Sequence, residues 1–284
     1  MKSEPGGIGF LRLTGFQNFT SSWGREKSLI AFWGGNDIFT QKLADRIGRS
    51  RISLNTRVNS IRTVGEKVFV TYTDLSKNKN GIVEASHVVS TIPLYRLFEV
   101  QFEPSLSERK KEAINSMGWG AYFKAHVFVK PSAKKFWIKN GNSILPLLSD
   151  SELGVVYEGN PDQKSEIQII SLLVSGDFAE NYNMAPQAQT KAELTAAFEK
   201  LWPGFSKEIF EMEFHRYHPR AIAAWPPGRS RFDELSQEVR KTENRIYLAG
   251  DFTESSHSDG AFLAAERVVA QIKTAERKIT KVGP

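Results

Sequence analysis

The carboxyl-terminal stretch from Arg245 to Ile272 constrains the fold most, because it predicts a strand, a turn and a helix in fixed order. The run RIYLA is typical of a buried strand. Gly250-Asp251 and a loop rich in Ser and Thr follow it, and Gly260-Ala261 opens the helical pattern GAFLAAERVVAQI. A carboxylate at the carboxyl end of such a strand accepts hydrogen bonds from sugar-type hydroxyls, and free N–H groups where a helix starts stabilise an anion. The alternative is an ordinary strand–helix unit with an aspartate at its turn.

The rest of the chain mixes helical and strand patterns. Phe39, Leu43 and Ile47 recur every four residues before Gly48 and predict a helix with one buried apolar stripe. Alternation and capping boxes predict the other elements: strands in RISLNTRVNSI, KVFVTYT and GIVEASHVVSTIP, strands between Ala121 and Gly176, a strand around Ile209 to Tyr217, and helices opened by Ser105–Glu108 and Thr190–Glu193. Without an internal repeat, this mixture predicts an α/β (α+β mixed) fold.

The composition excludes several classes of function. The 284 residues include no cysteine, which excludes disulfides, thiol catalysis and cysteine-ligated metal sites. The formal net charge of +6 is too small and too scattered to indicate binding of nucleic acid. No window reaches the roughly 20 apolar residues of a membrane span, and the start MKSEPGGIGF lacks the apolar region of a secretory signal. We therefore expect a soluble, cytoplasmic protein with no transmembrane segment.

The histidines give weaker candidates. The five histidines include one close pair, His215 and His218, and because no acidic cluster accompanies it we predict no metal site. His257 and Asp259 could mimic part of a hydrolase triad. The G-x-S-x-G motif is missing, however, so we reject hydrolysis.

The segment RIYLAGDFTESSHSDGAFLAAERVVAQI resembles the carboxyl-terminal flavin-binding signature of the flavin-containing amine oxidase superfamily. This superfamily includes monoamine, polyamine and L-amino-acid oxidases, protoporphyrinogen oxidase and carotenoid desaturases. Trp33 to Ile61 resembles its central FAD-domain stretch. Three further pieces resemble the family's following strand and the start of its substrate domain: HVVSTIPLYRL, FEPSLSERKKEAINSMGWGAYFKAHVFV and Phe136-Trp137. The order of these pieces along the chain makes the resemblance specific.

The resemblance implies an FAD cofactor and a set of residues that bind it. These cofactor-binding positions are Val58, Gly250, Asp251, Thr253, Gly260 and Ala261. By resemblance, Val58 presents its backbone to the adenine and Asp251 holds the ribityl or pyrophosphate region. The Gly260-Ala261 helix start lies under the pyrimidine edge of the isoalloxazine.

Lys124 is the catalytic residue that the resemblance implies, because it matches the family's lysine that holds a water near flavin N5. The alternative is a surface lysine on an alternating strand. The implied reaction transfers a hydride equivalent from a carbon next to an amine nitrogen to flavin N5, with reoxidation by oxygen. The implied partner is a small-molecule substrate, either an amine or another oxidisable compound.

The sequence departs from the family at the amino-terminal dinucleotide-binding unit. Gly7 and Gly9 are spaced like the first two glycines of G-x-G-x-x-G, but Arg12 stands at the third position. The chain thus resembles the carboxyl-terminal two-thirds of such an enzyme, and a partner chain could supply the missing unit. A non-catalytic or truncated subunit of such a flavoprotein is therefore an alternative function.

A second departure concerns the substrate. Ala221 and His257 stand where monoamine oxidases place two aromatic rings around the amine. A desaturase or a flavoenzyme like protoporphyrinogen oxidase is thus a further alternative.

The resemblance also predicts the domain organisation. We expect a partial FAD-binding, Rossmann-like domain formed by residues 28–98 and 225–284. A mixed-sheet substrate-binding domain over residues 99–224 is interleaved with it, and residues 1–27 are expected to be a remnant of the substrate domain.

Overall fold

The computed structural model of the protein describes residues 37–159, 166–216 and 220–281. Several sequence-based predictions therefore lie outside the described residues: the segment 1–27 with Gly7, Gly9 and Arg12, the start of the Trp33 to Ile61 stretch, Tyr217 and His218.

The described elements are runs of strands separated by helices. The α-helices are α1 (Asp37–Ile47), α2 (Leu94–Leu97), α3 (Glu108–Asn115), α4 (Gly176–Met184), α5 (Gln187–Leu201), α6 (Glu234–Arg240) and α7 (Ser258–Lys281). The strands are β1 (Thr56–Val64), β2 (Lys67–Asp74), β3 (Lys79–Ala85), β4 (Val88–Ser90), β5 (Gln101–Glu103), β6 (Gly118–Gly120), β7 (Tyr122–Val129), β8 (Ile138–Lys139), β9 (Asn142–Ser143), β10 (Leu147–Leu148), β11 (Val155–Glu158), β12 (Gln168–Ser175), β13 (Ile209–His215), β14 (Ile222–Ala224) and β15 (Ile246–Leu248). The predicted α/β class is confirmed.

Two chain segments, residues 37–118 and 224–281, form the first of two compact units. Its four-stranded sheet has the order β3-β2-β1-β5, in which β1 to β3 are antiparallel and β5 runs parallel to β1. A separate parallel pair joins β4 to β15. Parallel strands are normally covered on both faces, and all three residues of β15 are buried.

Packing against two different elements holds β15 in position. Ile246 belongs to one apolar cluster with Ile61 and Val68 of the four-stranded sheet. Tyr247 belongs to another with Ala264 and Val268 of α7. The turn that follows β15 is thus attached to a strand held from two sides.

The second unit comprises residues 119–223 and contains an antiparallel sheet of order β10-β11-β12-β7-β13. Alternate residues of β7, such as Phe123 and Val127, enter a core that α4 and α5 cover with Tyr182 and Phe198. The residues between them on β7 are half-buried on the opposite face. Lys124 lies on that opposite face.

The apolar stripe of α1 is predicted to be buried, and the structure shows that it is not. Leu43 is 44% exposed and Ile47 is 48% exposed, while Phe39 is half-buried and its ring contacts that of Phe262 edge-on at 5.7 Å. The periodicity predicted the helix correctly, but no buried residue of α1 is found. Periodicity identifies an apolar face and not the element that covers it.

Several element boundaries also differ from the prediction. β1 begins at Thr56 rather than at the start of RISLNT, and Leu54 is 78% exposed. The helix α5 begins at Gln187 with Pro186 at its N-cap, so Thr190 lies buried inside the helix and does not cap it. Ser107, rather than Ser105, caps α3 by accepting a hydrogen bond from the Lys110 N–H at 3.3 Å.

The buried ammonium of Lys110 closes the carboxyl end of α6. Lys110 is 1% exposed, and its Nζ donates to the carbonyl oxygens of Glu238 and Lys241, the second at 2.7 Å. These carbonyls belong to the end of a helix, where the last turn lacks backbone partners. Burial lowers the pKa of Lys110.

Replacing Lys110 with methionine is expected to lower the free energy of unfolding by about 2 kcal/mol, because two carbonyl oxygens lose this donor. Urea unfolding followed by circular dichroism measures the change. Lys111→Met is the control, since Lys111 is partly exposed and pairs with Glu108, and it should cost less than about 0.5 kcal/mol. Equal losses in the two variants would contradict the capping role of Lys110.

Candidate functional site

The turn after β15 requires glycine at position 250. Gly250 has φ 151°, a backbone conformation that residues with a side chain rarely adopt. A Cβ atom there would lie 2.4 Å from Cε1 of Phe252. A one-turn 3₁₀ helix over Asp251–Thr253 follows, so the chain reverses within a few residues at the carboxyl end of the buried strand.

Asp251 is half-buried on this turn and keeps free hydrogen-bonding capacity. Its Oδ1 accepts a hydrogen bond from the Phe252 N–H at 2.8 Å, and burial raises the pKa of its carboxyl group. The carboxylate also accepts from its own backbone N–H, and in the part of the chain that the structure describes no side chain donates to it. A carboxylate offers about four acceptor sites, so Asp251 can accept donors from a ligand.

Thr253 serves the turn itself. It is 2% exposed, and its Oγ1 donates to the Gly250 carbonyl oxygen at 2.8 Å. Its backbone N–H donates to the same carbonyl at 3.0 Å. Thr253 thus closes the turn that presents Asp251.

The helix α7 begins at Ser258, two residues before the predicted start at Gly260. The Gly260 and Ala261 N–H groups both donate to the His257 carbonyl oxygen, at 2.9 and 3.4 Å. The expectation that these two amides are free is therefore wrong, because the helix starts two residues earlier and the carbonyl just before it accepts from both. Among the described residues, no acceptor for the N–H groups of Ser258 and Asp259 is found, and both residues are exposed.

Gly260 is needed for a close approach of the chain to itself. A Cβ at this position would lie 2.0 Å from the Ser255 carbonyl oxygen and 2.7 Å from the Ser255 nitrogen. The loop before α7 therefore packs directly on the helix backbone at Gly260, while Ala261 is exposed.

Val58 lies on β1 in the same unit as Asp251. It pairs with Tyr72 of β2, and the register then shifts so that Asn59 has no partner opposite it. The Val58 side chain is half-buried against the cluster that contains Ile246 of β15. A bulge of this kind interrupts the ladder of backbone hydrogen bonds beside Val58.

Lys124 lies on β7 of the second unit, between Leu173 of β12 and His215 of β13. Its side chain is half-buried and, within the described ranges, takes part in no hydrogen bond or ion pair. Because the chain forms two units, the structure groups Val58, Gly250, Asp251, Thr253, Gly260 and Ala261 in one unit and Lys124 in the other.

Sequence reasoning missed a pair of imidazoles beside Lys124. The rings of His126 and His215 meet edge-on at 5.3 Å, and Nδ1 of His126 lies 2.7 Å from Oγ of Ser171. Burial lowers the pKa of His126, and so do the charges of Lys124 and His215. These two rings come together through the register between β7 and β13, and no feature of the sequence indicates that register.

The two positions predicted to surround the substrate, Ala221 and His257, lie in different units. Ala221 is half-buried in the second unit, where its N–H donates to the Gly120 carbonyl oxygen at 2.9 Å, and His257 is exposed in the first unit. Among the residues with described positions, no group of three His, Asp or Glu side chains could hold a metal ion. Within these residues, no helix is both long and apolar enough to cross a membrane.

Comparisons with known proteins extend over most of the chain. A family model described as flavin containing amine oxidoreductase matches residues 14–273. Polyamine oxidase 1 of Zea mays is 23% identical over 269 residues, which cover 90% of this chain and 52% of that protein. An L-amino-acid oxidase of Sistrurus catenatus edwardsii is 26% identical over 250 residues, which cover 83% of this chain and 46% of that protein. The chain thus spans about half the length of these relatives.

Solved structures show the same fold. Cyclohexylamine oxidase from Brevibacterium oxydans IH-35A has a TM-score of 0.72 and 16% identity, and the match covers 86% of this chain and 53% of that one. Wild-type putrescine oxidase bound to putrescine has a TM-score of 0.70 and 18% identity, with coverage of 85% and 53%.

Proposed function

The chain belongs to the flavin-containing amine oxidoreductase family, and on that premise we propose that it forms the carboxyl-terminal part of an FAD-dependent amine oxidase. The proposed reaction removes a hydride equivalent from a carbon next to an amine nitrogen. Among the relatives that match, the names polyamine oxidase, L-amino-acid oxidase and cyclohexylamine oxidase favour an amine over the substrates of desaturases.

The observation that carries the proposal is the Asp251 carboxylate, to which no side chain among the described residues donates. This carboxylate is held half-buried at the carboxyl end of a covered parallel strand, where α/β folds bind nucleotide cofactors. A carboxylate has about four acceptor sites, and the hydroxyl groups of a ribityl chain or ribose have donors that fill those left open at Asp251. The residues therefore fit FAD.

Other residues of the first unit would complete the cofactor site. Gly250 and Thr253 shape the turn that presents Asp251, and the interrupted ladder at Val58 leaves backbone groups for the adenine. The amino end of α7, with the Gly260-Ala261 turn behind it, would direct backbone dipoles at an anionic ring edge.

Lys124 is the proposed catalytic residue. A half-buried ammonium with no partner among the described residues can donate to a water and hold it in place. When bound, FAD would accept the hydride at N5 and pass the electrons to oxygen. The chain's part is to orient the amine, exclude bulk water and hold that water.

We further propose that polypeptide outside the described residues, on a partner chain or on this one, supplies a dinucleotide-binding strand–helix–strand unit. The described parallel sheet has two strands, although its buried residues are typical of a central position. Exposed apolar side chains at Leu43, Ile47 and Leu54 would be available for packing. On this proposal, residues 28–98 and 225–284 bind FAD, and residues 99–224 bind the substrate.

Replacing Asp251 with asparagine is expected to weaken FAD binding at least tenfold, because a charge-assisted hydrogen bond becomes a neutral one. FAD titration followed by the visible spectrum measures the dissociation constant. Asp177→Asn, at an exposed residue of the second unit, is the control and should leave it unchanged. A protein that stays colourless with added FAD, alone and with any co-encoded partner, would overturn the proposal in favour of a non-catalytic subunit.

A further inference from the structure

Arg267 on α7 has an acceptor for each of the five N–H groups of its guanidinium. The side chain is 20% exposed. The acceptors come from separate segments: Glu254 Oε1 at 2.8 Å, the Leu248 carbonyl at 2.9 Å, Gln271 Oε1 at 3.1 Å, the Arg240 carbonyl at 3.2 Å and Thr253 Oγ1 at 3.2 Å. One planar group therefore ties the end of β15, the turn after it, the end of α6 and α7 together.

A second arginine reinforces the same turn. Nε of Arg240 donates to the Thr253 carbonyl oxygen at 2.6 Å and lies 3.5 Å from Glu254 Oε1. The Glu254 carboxylate thus lies between two guanidinium groups, and all three side chains are mostly buried. Because the carboxylate and the guanidinium groups are paired, all three can stay ionised although they are largely shielded from water.

The turn needs such support because it is short and contains glycine. A single turn of 3₁₀ helix has weak internal hydrogen bonding, and glycine adds conformational freedom to the unfolded chain. Within the described chain, Asp251 is held only by backbone groups of its own turn: its carboxylate accepts from the Phe252 N–H and from its own N–H, and its carbonyl accepts from the Glu254 N–H. The direction of its carboxylate therefore depends on the groups that hold residues 250–254.

We propose that Arg267, supported by Arg240 and Glu254, is a positioning residue for the cofactor that acts through Asp251. The inference rests on the proposed function, since it assigns to Asp251 the role of binding FAD. Arg267 does not contact the ligand on this proposal, and it fixes the turn before the ligand arrives, which lowers the ordering cost of binding.

The test combines hydrogen exchange with a double-mutant cycle. In the chain without FAD, Arg267→Met is expected to speed amide exchange at Phe252, Thr253 and Glu254 at least tenfold, because these amides bond within the turn. The same change should weaken FAD binding at least tenfold in the unmutated background and less than threefold in the Asp251→Asn background. A merely structural arginine would weaken binding equally in both backgrounds, and that result would overturn the inference.

Two further variants keep the outcomes separate. Arg267→Lys keeps the charge but removes the fork of donors, so we expect it to lose less FAD affinity than Arg267→Met. It takes the place of Arg267→Met in the test if that variant does not fold. Arg109→Met is the matched control, because Arg109 is 48% exposed and should change neither exchange in the turn nor FAD affinity. Failure of the unmutated protein to bind FAD, both alone and with any co-encoded partner, would overturn the proposed function, whereas normal binding that Arg267→Met and Arg267→Lys leave unchanged would overturn this inference alone.

Discussion

Alanine at position 260 is expected to lower the free energy of unfolding by about 3 kcal/mol or more. A glycine-to-alanine change inside a helix usually stabilises by up to about 1 kcal/mol, so the expected sign is the reverse of the usual one. The reason is steric, because the new Cβ would meet the Ser255 carbonyl oxygen at 2.0 Å. The nearest atoms belong to the backbone of Ser255, so the loop before α7 would have to move as a whole.

Urea unfolding of the variant measures this effect, with Ala261→Gly as the control in the same helical turn. Ala261 is exposed, so its replacement should cost about 1 kcal/mol or less from helix propensity alone. A Gly260→Ala protein more stable than the unmutated one would show that the loop does not pack on Gly260.

The local features of the carboxyl-terminal unit could be predicted from the sequence because they depend on neighbours along the chain. The buried strand, the Gly250-Asp251 turn and the long helix were all predicted, since an apolar run, a turn-forming glycine and a helical period are short-range signals. The sequence indicates Gly260 as a special position, and the structure adds a reason that the sequence does not show. Its backbone approaches Ser255 closely, and its N–H donates to the His257 carbonyl oxygen.

Long-range features could not be predicted in this way. The contact of His126 with His215 depends on the register of β7 and β13, which shifts between Ile209 and Glu211. A slip of one residue would place either side chain on the other face of the sheet. The acceptors of Arg267 likewise come from segments whose proximity only the folded chain creates.

Methionine at position 124 is expected to slow flavin reduction by an amine about 100-fold, while FAD remains bound. Removing one well-placed donor from a reacting centre costs a factor of about 10² to 10³ in other enzymes. Lys124 is on the half-buried face of β7, and methionine keeps the length and apolar volume of its stem. Stopped-flow absorbance of the FAD-loaded protein, alone or with the polypeptide that completes it, measures the rate with polyamines, L-amino acids and cyclohexylamine.

The control for Lys124→Met is Lys130→Met, which removes an ammonium just beyond the end of the same strand. Lys130 is 48% exposed and donates to the Lys207 carbonyl oxygen at 2.5 Å, so the rate should stay within about twofold of the unmutated value. Because Lys124 has no polar partner among the described residues, its loss should leave the free energy of unfolding nearly unchanged. A slow variant that is also destabilised would indicate a structural lysine, and a fast variant would exclude Lys124 from the reaction. A slow, stable, fully loaded variant is the combination expected of an ammonium that acts on the reacting atoms through a held water.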